Sequence, residues 1–376
     1  MTNLFRSRLL WVLLALVISA ISGNVFFAQD NTATPDSERL SRITWECPDE
    51  LRGQRLNVYN WSDYIADATI PDFETLCDAT VTLDFYDTNE GLLTRLRQGN
   101  PGYDVAFPND YMVAVLISEN LIQPLNLDHI PNIANVGAEW RGMYFDPDNT
   151  YSVPYLWSNF GVGYRVDKVP NGITSWQDVF AHTDAVDWIA DQRAMFPIAL
   201  RLLDKDPNSI NPDDIQTAKQ YLLDNSDNVV SIGEGYSDPL VTGEADIVLT
   251  YNAEMYNLAL TCECDNYAYV VPREGSIVDV TNAVILQDAP NPRLAEAFID
   301  YLNDPFVAAQ ITNAIAYPTT NQAAIDSGFI DETLLNDPAV FLDEAQLATL
   351  FFLQPITAAE QAYNDAWDEL RIEMGN

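Results

Sequence analysis

From Arg55 onward, short apolar runs of strand length alternate with stretches of helical period, and this alternation most limits what the chain can become. Arg55–Tyr59 reads as a strand, Ile70–Leu76 as a helix, Val81–Tyr86 as a strand and Glu90–Arg97 as a helix. That order is the βαβ rhythm of an α/β protein. Further strands are expected at Asp104–Phe107, Phe160–Arg165, Trp188–Ala190, Asp246–Thr250, Tyr267–Val271 and Thr281–Leu286. Helices are expected at Arg293–Leu302, Pro305–Ile315 and Ala358–Ile372. In the last of these, Ala359, Ala362, Tyr363, Ala366, Trp367 and Leu370 make one apolar stripe that suits a core. At 376 residues, 48% of them hydrophobic, the chain has enough apolar surface for two globular units.

Residues 1–28 carry the marks of an export signal. Arg6 and Arg8 precede the apolar run Leu9–Ile21, after which the chain turns small and polar. The run is short for a spanning helix. Cleavage after Ala28 or near Gly23, or retention as an uncleaved anchor, all remain open, and no cysteine is present there to carry a lipid. Residues 29–45, rich in Asn, Thr, Asp and Ser, are expected to form a flexible tether, with folded structure starting near Thr44.

In an exported chain the four cysteines, Cys47, Cys77, Cys262 and Cys264, can persist as disulfides. Three pairings are possible. Cys47 with Cys77 is favoured, tying the lead-in of the first strand to the end of the following helix. Cys262 and Cys264 would then pair or stay reduced, because a Cys-x-Cys ring is small and strained. His129 and His182 have no ligand-like spacing to these cysteines, so a structural role is expected of them rather than a metal site.

Eighteen basic residues against 56 acidic ones give a formal charge of −38, which argues against nucleic acid and anionic membrane surfaces as partners. A charged partner should be cationic. A solubility or salt adaptation, with only Lys168, Lys205 and Lys219 as lysines, would give the same bulk charge. The chain lacks Gly-x-Ser-x-Gly, a phosphate loop and His-Glu-x-x-His, and no cofactor is expected. Asp146-Pro147-Asp148-Asn149 lacks the glycine and distal Glu of a calcium hand and reads as a turn.

Several strands end in aromatic and polar clusters, where open α/β sheets bind ligands. These are Asn60-Trp61-Ser62-Asp63-Tyr64, Pro108-Asn109-Asp110-Tyr111, Asp191-Gln192-Arg193, Tyr251-Asn252-Ala253-Glu254 and Asp279-Val280-Thr281-Asn282. A carboxylate lies in or beside each. Aromatic faces attract ammonium groups, and carboxylates add charge-assisted hydrogen bonds, so the set describes a site for an organic cation.

The order of segments resembles the spermidine- and putrescine-binding proteins of bacterial polyamine importers. The matching stretches include Val58–Tyr64, Asp87-Thr88-Asn89-Glu90, Gly102-Tyr103-Asp104-Val105, Tyr151–Trp157, Ser175-Trp176, Pro272-Arg273-Glu274-Gly275 and Tyr317-Pro318-Thr319, in order across nearly all of the exported chain. The resemblance implies a two-lobed periplasmic-binding-protein-like fold of type II, a monomer, with the solute held between lobes that close on it. Lobe one would comprise residues 46–158 and 280–325, and lobe two residues 159–279 and 326–376, with crossings near Trp157–Gly161 and Thr281. The implied partners are a polyamine or other small cationic solute and the membrane permease of an ABC importer. The place would be the periplasm or the outer face of the cytoplasmic membrane.

Carried over residue by residue, the resemblance assigns Trp61, Ser62, Asp63 and Tyr64 to a first binding loop and Asn109 and Tyr111 to a second. Asp191 would hold a terminal amine, Tyr251 would be an aromatic wall, Glu254 an acid shared with putrescine-binding relatives, and Gln354 a late amide contact. The chain also departs from the pattern. Ala194 stands where spermidine-binding relatives have Glu, and Asp279-Val280-Thr281 replaces Trp-x-Asp. The grip on an inner amine is thereby lost, so a putrescine-like diamine is expected over spermidine. Protonation near pH 4 is expected to weaken binding. The alternatives are a secreted acidic hydrolase of glycosidase type, or a binding protein of the same fold for a sugar or a metal ion.

Overall fold

The computed structural model describes residues 37–62, 64–262, 266–356 and 358–375. Ten strands occur among them: β1 (Arg55–Trp61), β2 (Thr80–Tyr86), β3 (Val105–Ala106), β4 (Ser152–Arg165), β5 (Val186–Ile189), β6 (Val229–Gly233), β7 (Ile247–Tyr251), β8 (Tyr267–Val270), β9 (Ile277–Ile285) and β10 (Phe351–Phe352). They join in the order β2-β1-β3-β9-β4-β7-β5-β6, with β10 beside β9 and β8 beside β4. In one half β1 runs parallel to β2 and β3, and β9 runs antiparallel to β3. The other half repeats the plan: β5 is parallel to β6 and β7, and β4 is antiparallel to β7.

The long strand β4 belongs to both halves. Ser152–Asn159 pairs with β9, and from Phe160 to Tyr164 the partner is β7. The change of partner falls between Asn159 and Phe160. Gly161 is required at the change of partner, since a Cβ there would stand 2.5 Å from the Tyr269 hydroxyl and 2.6 Å from the Val270 carbonyl. Tyr269 in turn donates its hydroxyl to the Asn159 side chain at 2.7 Å, fixing β8 against the turn of the chain.

Two large buried clusters make up most of the core. Phe73, Phe298 and Tyr301 are fully buried in the first, with Trp45 packed on Phe73 and Tyr301. Trp176, Trp188, Phe196 and Tyr363 fill the second. The expected stripe of the C-terminal helix (Glu360–Met374) lies here, with Tyr363, Ala366 and Leu370 at zero exposure. Cys47 and Cys77 are bonded, closing a loop of 30 residues that restricts the unfolded chain by roughly 3 to 4 kcal/mol. The Cys262–Cys264 expectation cannot be followed in the structure because Cys264 lies outside the described residues. The export signal and residues 29–36 lie outside them too.

Two segment boundaries differ from expectation. From Ser37 the segment read as tether is tied down: Arg39 pairs with Asp72 at 2.7 Å, and Asp304 accepts from the Thr44 amide, the Thr44 hydroxyl and the Trp45 amide at 2.6 to 3.0 Å. Polar composition hid this because the anchoring groups are themselves polar. Residues 330–342, expected in the second lobe, bury Ile330, Leu334 and Val340 against Ala308, Ala309 and Ala324 of the first half. Only the later part, from Phe351, joins the second core.

Candidate functional site

The C-terminal ends of the parallel strands in both halves meet the crossing strands β4 and β9, and the polar clusters collect there. Trp61 ends β1; its indole N–H donates to the Phe107 carbonyl at 2.8 Å, and its ring lies 4.7 Å from that of Tyr86. Tyr86 donates its own hydroxyl to the same carbonyl at 2.6 Å. Two aromatic side chains are thus aligned by one backbone oxygen. Tyr64 follows the turn, paired with the Thr281 hydroxyl at 3.2 Å and edge-on to Tyr317 at 4.6 Å. Ser62 beside it is exposed, and Asp63 lies outside the described residues.

The loop after β3 is fastened to β9 by the Asn282 amide donating to the Pro108 carbonyl at 2.9 Å and by a bridge between Asn109 and Thr281. This brings Asn109 to Asp279, to which its side-chain amide donates. Asp110 opens the helix Asp110–Ser118 and is 2% exposed. One of its oxygens accepts from the Tyr111 amide at 2.7 Å, while Oδ2 finds no hydrogen-bond partner among the described residues. Tyr111 donates its hydroxyl to Glu90 at 3.0 Å.

From the second half, Asp191 caps the helix Gln192–Leu202 by accepting from the Arg193 amide at 2.7 Å. The Arg193 guanidinium donates to the Gln354 carbonyl at 2.8 Å and covers the Tyr363 ring at 5.7 Å. Tyr251 ends β7 against Phe160, with ring centroids 5.4 Å apart.

Burial sets the electrostatics. It pushes Asp279 up to about 6, against a partly compensating Asn109 hydrogen bond and helped by the charge of Asp191. Asp110 is driven well above the usual carboxylate range by burial first and by Asp279 second. Asp191 is raised by burial, although the Arg193 amide and charge oppose the shift. Arg193 is lowered from its ordinary value by the same loss of water. Three acids therefore sit near one another with one arginine as counter-charge, a costly arrangement unless a cation joins them.

Glu254 takes a different place. It faces a cavity of about 910 Å³ together with Ser62, Tyr64, Asn257 and Tyr317. Burial raises its carboxyl while the Ser237 amide lowers it. Tyr317 senses both Glu254 and Asp279, so the cavity and the acid cluster are neighbours. Gln354 contributes its carbonyl to Arg193 and its amide N–H to Asn208, while the residue as a whole is exposed.

Sequence reasoning passed over two residues. Asp110 was noted only as the neighbour of Asn109 and Tyr111, and no local pattern marks one acid among 56 as buried. Tyr144 donates to the Leu353 carbonyl at 2.7 Å and is perturbed by Asp110, Asp279 and Arg193, but it lies in an irregular segment without a strand-end signature. The group whose composition suits a metal ion, among the described residues, is His182, Asp184 and Asp246, with ligand atoms within 4.8 Å of one another. It precedes β5 and β7 and thus occupies the opposite end of those strands from Asp191 and Tyr251. No helix among the described residues is long and apolar enough to cross a membrane.

Comparison with known proteins agrees with the fold. Residues 68–341 match the family of bacterial extracellular solute-binding proteins. A putrescine/agmatine-binding protein of Pseudomonas aeruginosa is 33% identical over 342 residues, covering 85% of this chain and 92% of that protein. The spermidine/putrescine-binding periplasmic protein of Escherichia coli is 27% identical over 322 residues, covering 84% and 91%. The crystal structure of a spermidine/putrescine ABC transporter substrate-binding protein from Streptococcus pneumoniae superimposes with a TM-score of 0.80 at 26% identity, over 86% of this chain and all of that one.

Proposed function

The chain belongs to the family of bacterial extracellular solute-binding proteins, and we propose that its cleft captures a small organic dication of the putrescine class and delivers it to the permease of an ABC importer. The observation that carries this reading is the convergence of Asp110, Asp191 and Asp279 from separate elements, with Arg193 as the near cation. Tyr64 and Tyr251 both feel the charge of Asp279, and their rings are assigned to the walls of the same space, with Trp61 ahead of Tyr64 at the end of β1. The relatives named for putrescine, agmatine and spermidine support the class of solute.

Preference for a short diamine rests on Ala194. It stands where the resemblance puts a Glu in spermidine-binding relatives, so the helix after Asp191 brings no acid there for an inner amine. Two charge-assisted contacts at about 1.5 to 3 kcal/mol each, with stacking on two or three rings, reach the roughly 8 kcal/mol of micromolar binding after ordering costs. Solute touching both lobes stabilises the closed form, which a permease can distinguish from the open one. Capture requires no bond to break, so turnover of glycosides or esters is not expected. Tryptophan emission titrated with putrescine, cadaverine, agmatine and spermidine tests the reading: a saturable change with the short amines supports it, and no response to any of them refutes it.

A further inference from the structure

We propose that Asp110 and Asp279 form one carboxylate pair that receives a single cationic head group of the solute, and that in the empty cleft this pair retains a proton which the arriving cation displaces. The inference rests on the amine-binding reading above and adds to it a residue, Asp110, and a proton.

The geometry comes from the Asn109–Asp110 step. The loop is pinned to β9 at Pro108 and Asn109, the Asn109 amide grips Asp279, and Asp110, next in sequence, lies close enough for the charge of Asp279 to raise its carboxyl. Asp110 is nearly inaccessible, yet its Oδ2 has no donor among the described residues; the same is true of the buried Asn109 Oδ1. Two acceptors without donors, next to a second carboxylate, suit an ammonium group, which offers three N–H donors and a full positive charge.

The charges around the pair do not supply that donor from within. Asp191 and Arg193 face it from the start of the helix after β5, Tyr251 from β7, Tyr144 from the loop before β4, Tyr64 from the loop after β1, Tyr86 from the end of β2 and Tyr317 from the segment after the helix Pro305–Ile315. Tyr111 and, through it, Glu90 lie on its near side. Arg193 is the cation among these; its Nη2 donates to the Gln354 carbonyl and its Nη1 has no partner among the described residues, so it lowers Asp110 through its charge without donating to it. Two neighbouring carboxylates, one of them nearly inaccessible, do not both ionise without a counter-charge of their own, so one oxygen keeps a proton when the cleft is empty. Entry of the ammonium replaces O–H by O⁻ paired with N–H donors, and the released proton passes to buffer.

Calorimetric titration of the full exported chain with putrescine at about pH 6.5, in two buffers of different ionisation enthalpy, measures the proton directly. The wild type should release a large fraction of one proton per putrescine. Asp110→Asn and Asp279→Asn, each confirmed folded by its melting curve, should cut that release several-fold and weaken binding at about pH 7.5. Tight putrescine binding with no proton released, or release from Asp110→Asn equal to that of the wild type, overturns the pair while leaving the amine-binding reading intact. Failure of the wild type to bind putrescine or any related amine overturns both.

Discussion

Two acid-bearing regions adjoin in this molecule and differ in what surrounds the charge. The first encloses Asp110, 2% exposed, with half-buried Asp191 and Asp279 crowded beside it, and mutual charge adds to burial in raising Asp110 and Asp279. Glu254 stands on a cavity of about 910 Å³, beside an exposed Ser62. Carboxylates crowded on one another must find a cation or a proton, whereas a single one at the wall of an open cavity has less need of either. The enclosed region should therefore dominate affinity, and the open one should tune which cation is accepted.

The comparison breaks most readily at the enclosed acids. Asp191→Asn and Asp279→Asn should each weaken diamine binding by about tenfold to a hundredfold, the equivalent of one charge-assisted contact, measured by calorimetry at neutral pH. Losses below twofold for both would show that the enclosed acids do not hold solute.

A pH series should give the next largest effect, with two opposite trends. Affinity should already be falling with pH at about 6.5, where the carboxylate pair holds its proton, and should fall further through about 6, where Asp279 takes up its own, and not only near pH 4 as ordinary carboxylates would suggest. The empty protein should behave inversely. Because the folded-state value is raised above the unfolded one, this acid contributes stability below about pH 4 that is lost as pH rises through about 6. Melting curves of the empty protein that gained stability across that rise would contradict the shift.

Smaller effects sharpen the contrast. Glu254→Gln should weaken putrescine binding by less than about fivefold, as expected for a charge in contact with water, with a larger effect on longer amines that reach the open cavity. A Glu254→Gln loss as large as that of Asp191→Asn would erase the distinction between the regions. Replacing Cys47 and Cys77 by Ser should lower the melting temperature and leave the affinity of the folded protein unchanged, since the disulfide ties residues near the first core rather than at the cleft.

Much of the architecture was legible because apolar runs of strand length alternate with stretches of helical period. Arg55–Tyr59 and Val81–Tyr86 fall within β1 and β2, and the apolar stripe of the last helix is buried as its spacing implied. The first part of β4 was not legible as a strand: Ser152–Asn159 contains Pro154 beside a shift of register, and is buried on both faces without alternation. The helix Asp110–Ser118 was hidden for a related reason, since its residues read as a strand-end cluster until β9 is seen to pin the loop. At the cleft, residue types were readable and burial was not. Asp110 and Asp148 look equally acidic in the sequence, but one is 2% exposed and the other lies in an open turn.

The most direct test sets a charged solute against a neutral one of the same length. Calorimetry of the exported chain with putrescine and with 1,4-butanediol at about pH 7.5 should show micromolar or tighter binding of the diamine and no measurable heat from the diol. Equal binding of the two, or tight binding of a neutral or anionic solute alone, would contradict the claim that enclosed carboxylates select the cation.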